Sequence, residues 1–67
     1  VRDPLKRYIG RQIAVHDLHG GPSFQGVLME AYPATILLRA VRNLDEDADL
    51  QGEVGLPRQN AWWQVIA

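Results

Sequence analysis

Ser23-Phe24-Gln25-Gly26-Val27-Leu28-Met29-Glu30-Ala31, then Tyr32-Pro33-Ala34, then Thr35-Ile36-Leu37-Leu38-Arg39-Ala40-Val41 is the stretch that decides the fold. Two extended runs flank a tight break, because proline has no N–H to give to a ladder. Gly26 interrupts the first run, and a glycine inside a strand commonly marks a bulge or a sharp bend. In the second run Ile36, Leu37 and Leu38 are consecutively apolar, which predicts burial on both faces.

Working outward, Ile13 and Val15 alternate with Gln12, Ala14 and His16, a period of two that predicts a strand over 12–18. His19-Gly20-Gly21-Pro22 is a turn by composition. Upstream, Asp3 can cap free amides, Pro4 suits a first helical position and Gly10 can supply a left-handed stop. Leu5, Tyr8 and Ile9 share one face between these signals, so a short helix over 4–9 is expected. It is too short to stand alone in water and must lie on something. Downstream, 42–49 is a charged loop, 50–56 a short strand, Pro57-Arg58-Gln59-Asn60 a turn and 61–66 a closing strand. The expectation is one domain, 1–67: a mainly β fold in which the helix precedes a five-stranded, strongly bent SH3-like or Sm-like barrel (strands 12–18, 23–31, 35–41, 50–56 and 61–66).

At 67 residues the chain has room for one core only. A domain this small buries about 60% of the surface its unfolded chain exposes, so it needs disulfides, a metal, oligomerisation or a dense core. It has no cysteine, which leaves oligomerisation or the core. His16 and His19 lack a third ligand, so neither a metal nor a cofactor is expected. Asp45, Asp47 and Asp49 fall short of a calcium loop, since Leu50 and Leu56 stand where glycine and glutamate belong. A net charge of −1 argues against bulk electrostatic binding of nucleic acid, though not against a local basic site. No apolar run approaches the ~20 residues of a membrane span and no signal peptide is recognisable, so a cytoplasmic location and no membrane partner are the default expectations. Ser23 beside His19 is the nearest approach to a nucleophile and base, and no enzyme activity is expected from it.

The order of elements resembles the Sm-like family, which includes Sm, LSm and the bacterial RNA chaperone Hfq. Phe24, Gly26 and Leu28 resemble the first Sm motif, with its bend glycine between hydrophobic residues. Ile36-Leu37-Leu38-Arg39 is similar to the aliphatic run and basic residue of Hfq's third strand. Leu56-Pro57-Arg58-Gln59-Asn60 with Ala61-Trp62-Trp63 resembles the second motif and its closing strand. Departures lie in the ligand loops: Tyr32 stands at the family's conserved aspartate, Ala34 at Hfq's stacking aromatic, and Pro57-Arg58 replaces Arg-Gly.

The resemblance implies a homo-oligomeric ring formed between the fourth strand of one subunit and the fifth of the next, with single-stranded RNA as a candidate ligand. The pore-loop candidates are Tyr32, Arg58 and Asn60, able to stack a base, pair phosphate and read a base edge. Their plainer reading is a rigid turn and a turn asparagine. Lys6, Arg7 and Arg11 form a basic face similar to Hfq's lateral rim, against the plainer reading of a solvated surface. Trp62 and Trp63 must face opposite sides of one strand, so one is a candidate interface anchor, with Val54 and Val65 beside it. The alternative is an SH3-like structural or assembly module with a protein partner and no nucleic-acid ligand, for example in a phage particle.

Overall fold

The computed structural model describes residues 3–67, and they form a mainly β fold: one six-stranded antiparallel sheet preceded by a single 3₁₀ turn. The strands are β1 (Gln12–Asp17), β2 (Phe24–Ala31), β3 (Thr35–Asn43), β4 (Ala48–Asp49), β5 (Glu53–Pro57) and β6 (Ala61–Val65). Along the sheet the order is β4-β3-β2-β1-β6, and β5 also pairs with β3. β5 takes the first half of β3, from Thr35 to Arg39, and β4 takes Arg42 and Asn43. Among the described residues no helix is long and apolar enough to cross a membrane.

Three expectations are corrected. The leading element is a 3₁₀ turn, Pro4–Tyr8, rather than a helix over 4–9. Asp3 caps it by accepting from the Leu5 amide at 3.0 Å, and Gly10 then leaves it at φ 94°. One turn between those signals is too short to propagate α-helix, and 3₁₀ bonding suits such short pieces. The sheet has six strands rather than five, because the charged loop folds back as β4. It is also neither closed nor strongly curled, since no ladder joins β6 to β4 or β5.

Gly26 sits at an irregularity in the β2–β3 ladder. Gln25 pairs with Arg42 and Val27 with Arg39, so Gly26 alone opposes both Ala40 and Val41. This is a β-bulge on β3, and Ala40 takes the left-handed conformation it requires, φ 55°. A Cβ on Gly26 would lie 2.9 Å from the Arg39 carbonyl oxygen and 3.3 Å from Leu38. The obstacle is backbone, which cannot swing aside. Gly26→Ala is therefore expected to cost about 1–3 kcal/mol in a urea titration. A loss below half a unit would mean that the bulge relaxes freely. A second irregularity leaves Met29 unpaired between Leu28 and Glu30.

The core draws on every strand but β4. Leu5, Ile13, Val15, Leu28, Ala31, Ile36, Leu38, Val41 and Leu56 form one buried cluster, with Tyr8, Phe24, Val54, Ala61, Trp63 and Val65 packed against it. Leu37, expected to be buried, is half-buried on the opposite face from Ile36 and Leu38. Along β6 the alternation is regular: Ala61, Trp63 and Val65 face the core, while Trp62 and Gln64 face solvent.

Candidate functional site

Among the described residues β4, β5 and β6 are edge strands, and the two longer ones, β5 and β6, carry open hydrogen-bonding edges. β6 pairs only with β1, and β5 only with β3. In the β1–β6 ladder Ile66 N donates to Gln12 O at 2.8 Å and Leu18 N to Asn60 O at 2.8 Å. Antiparallel pairing alternates, so Gln64 and Trp62 also turn their backbone groups toward β1, and Trp63 and Val65 turn theirs outward. The same logic holds for β5. Arg58 N donates to Ala34 O at 3.1 Å, so Leu56 and Val54 bond to β3 while Gly55 and Glu53 point their N–H and C=O outward. Pro57 shares that outward phase, where its missing N–H leaves no gap in the ladder. Ala61 N, at the start of β6, is already used by Arg58 O at 3.2 Å.

The candidate interface side chains divide by face. Val54, Trp63 and Val65 pack on the core cluster, so their contribution to an interface is backbone and partly covered side chain. Trp62 is 43% exposed on the other face. It stacks on His16 across the β1–β6 pair, ring centroids 4.2 Å apart and 22° between planes.

Two of the three loop candidates, Tyr32 and Arg58, are brought together by a clasp through Asp3, and Asn60 has no part in it. Arg58 donates to Tyr32 O at 3.0 Å and to Asp3 Oδ1 at 3.1 Å, with a closer contact to Asp3 Oδ2. One guanidinium thus ties the cap of the 3₁₀ turn, the β2–β3 turn and the β5–β6 turn. Its fork is occupied by the chain's own carboxylate. Tyr32 keeps its ring in solvent, 49% exposed. Asn60 adopts φ 62°, a turn conformation that asparagine tolerates well.

The hydrogen bond from Arg58, then the Leu5 amide, hold the Asp3 carboxyl below its ordinary value of 3.8, and the same pair raises Arg58. A carboxyl lowered by folding contributes stability above its unfolded value, and that contribution is lost as pH falls through the folded value. The midpoint of urea unfolding should therefore drop on acidification below about pH 4. Asp3→Asn should lower the midpoint at neutral pH and flatten that acid limb. Glu30, lowered first by the Ala31 amide and also by Lys6, adds to the wild-type slope in the same direction.

The basic face is divided. Lys6 pairs with Glu30 at 3.4 Å. Arg7 and Arg11 lie over the Tyr8 ring, 5.9 and 5.6 Å from its centroid, and neither has a carboxylate partner among the described residues. The acidic loop uses its side chains locally: Asp45 Oδ2 accepts from Ser23 N at 2.7 Å, and Asp47 pairs with Arg42. Among the described residues no group of three His, Cys, Asp or Glu is placed to hold a metal ion.

Ser23 meets His16 rather than His19, Oγ to Nδ1 at 2.9 Å. The other ring nitrogen, Nε2, is buried and has no partner. No carboxylate orients this imidazole, so the pair lacks the third member of a nucleophilic triad. Beside it lies a cavity of about 170 Å³ lined by Val15, Phe24, Leu56 and Ala61, with Asp17 and Asn60 among its polar groups.

No protein-family model, no curated protein and no solved structure matches this chain.

Proposed function

We propose that this chain is an assembly module: a small β domain of the Sm-like kind that forms a homo-oligomeric ring by pairing β5 of one copy with β6 of the next. The observation that carries the reading is that the fourth and fifth strands expected from the sequence, here β5 and β6, are both edge strands with outward backbone groups in matching phase. Setting those groups opposite each other in antiparallel sense places Gly55 across from Trp63 and Glu53 across from Val65. Gly55 has no side chain to clash with Trp63, whose indole packs on its own chain's core. The ladder then ends of its own accord at Pro57 and Ala61, which have no free N–H between them. A chain of this size gains from such pairing the burial it cannot provide alone, and an exposed edge bearing Trp63 and Val65 would otherwise invite uncontrolled association.

Amide hydrogen exchange tests this directly. The amides of Glu53, Gly55, Trp63 and Val65 should exchange quickly at low protein concentration and become protected as concentration rises. Protection that ignores concentration at all four would sink the edge pairing.

RNA binding is a second reading, favoured by Arg7 and Arg11 beside Tyr8, which have no carboxylate partner among the described residues, and by the exposed Tyr32 ring. With Arg58 held by Asp3 and Lys6 by Glu30, few cations remain to meet phosphate. A uridine-rich or adenine-rich single strand should bind weakly, with a salt slope near that of about two phosphate contacts, on the order of −1.4 for single strands. Arg7→Gln with Arg11→Gln should abolish binding. An oligomer that takes up no RNA at low salt would favour the SH3-like scaffold with a protein partner.

A further inference from the structure

Two guanidinium groups share one aromatic ring beside β6. The Cζ atoms of Arg7 and Arg11 lie 5.9 and 5.6 Å from the centroid of Tyr8. Tyr8 in turn packs on Trp63, ring centroids 5.4 Å apart. Like charges repel, and among the described residues no carboxylate pairs with either arginine. Arg11 is also tied to the backbone that continues β6: its Nε donates to Ala67 O at 3.3 Å, the same oxygen that accepts from Gln12 N at 3.1 Å. That leaves both Nη groups of Arg11 free of hydrogen bonds among the described residues.

The opposite charge stands on the other open edge. Glu53 begins β5, and its carboxylate lies 3.5 Å from Arg39 across the β3–β5 ladder, with both side chains about half exposed. A carboxylate has lone pairs to spare for a second cation. In the register with Gly55 opposite Trp63, Glu53 of one copy stands across from Val65 of the next. Directly opposed residues project to one face of a ladder. Here that face is the one carrying Trp63 and Val65, and Tyr8 lies against Trp63 on it. Ala67, to which Arg11 is bonded, is then the diagonal neighbour of Glu53, at the ~7–8 Å that long side chains can span.

We infer that Arg11 of one copy pairs with Glu53 of the next, extending each Arg39–Glu53 pair into a three-charge network across the β5–β6 contact, and this pair requires the edge pairing proposed above. It joins unlike edges. The segment Ala61–Ala67 carries no acidic residue, so β6 set against β6 would offer Arg11 no carboxylate from the strand it meets. The charges therefore favour the head-to-tail contact from which rings close.

The test is a double-mutant cycle by sedimentation equilibrium: wild type, Arg11→Gln, Glu53→Gln and the two together. At low salt each single substitution should raise the dissociation constant of the contact about 5-fold, the upper range for an exposed pair. The double variant should lose no more than the worse single one, which separates this pair from the loss of Arg39–Glu53 inside one chain. Salt at about 0.5 M should weaken the wild type toward the variants, because exposed charges are screened. In the Val65→Pro chain, whose β6 edge is blocked, Arg11→Gln should leave the urea midpoint in place. Arg11→Gln assembling as tightly as the wild type, or single losses that simply add in the double variant, would overturn the ion pair and leave the edge pairing standing. A wild-type chain that stays single at every concentration would overturn both.

Discussion

Leu38→Ala should leave the chain mostly unfolded at 25 °C. Leu38 is fully buried at the centre of the sheet, paired with Leu28 on one side and Val54 on the other. Its side chain also lies close to the bulge: a Cβ at Gly26 would already touch Leu38 Cβ at 3.3 Å. Removing the isobutyl group loses its transfer energy and leaves a cavity that the β2–β3–β5 ladders hold open, a cost of about 2–5 kcal/mol. A core of this size rarely supplies more than about 3–5 kcal/mol in total. The tryptophan fluorescence and near-ultraviolet dichroism of the variant should resemble those of the denatured chain. Leu37→Ala, one residue along on the half-buried face, should cost clearly less. Equal losses at the two positions would contradict the one-sided core.

Val65→Pro should reduce any edge-paired assembly to the 7.5 kDa single chain. The Val65 N–H points away from β1, so proline there removes no bond within the chain. It removes a donor from the open edge and sets a ring where the next strand would lie. Some packing on the core is lost with the isopropyl group, and a modest fall in stability accompanies the change. The discriminating control is Gln64→Pro, whose N–H is directed to β1. That substitution should weaken the fold, whereas Val65→Pro should weaken the assembly. If Val65→Pro retained the full wild-type mass, β6 would not be the contact.

The sheet was legible in the sequence wherever a strong local signal existed. Tyr32-Pro33-Ala34 breaks the chain between β2 and β3, Gly26 marks the bulge, and the alternation in Ile13 and Val15 names the core face of β1. Adjacent tryptophans had to part, and Trp63 turns inward while Trp62 remains in solvent. Features without periodicity were not legible. β4 is two residues long inside an acidic loop, and two residues have no period. Ala40 gives no hint of a left-handed conformation, because the bulge arises from the partner strand's glycine. The break-up of the expected helix into a 3₁₀ turn depended on how few residues separate Asp3 from Gly10. The Asp3–Arg58 clasp joins residues 55 apart, a contact that only the folded chain brings about. The same holds for His16 and Ser23, where sequence adjacency pointed to His19.

The contrast between Lys6 and Arg58 on one side and Arg7 and Arg11 on the other also came from the fold alone. In the sequence all four are equivalent cations. In the structure two are spent on carboxylates and two lie against an aromatic ring. That division moves the weight of the functional reading from ligand binding to assembly.

The most direct test of assembly through the sheet edges is the solution mass of the unmodified chain, by light scattering or sedimentation across a wide concentration range. Edge pairing of β5 with β6 requires a closed particle at a fixed multiple of 7.5 kDa larger than two, dissociating to the single chain on dilution and lost with Val65→Pro. A mass of 7.5 kDa throughout, or growth into species without a fixed size, would contradict it.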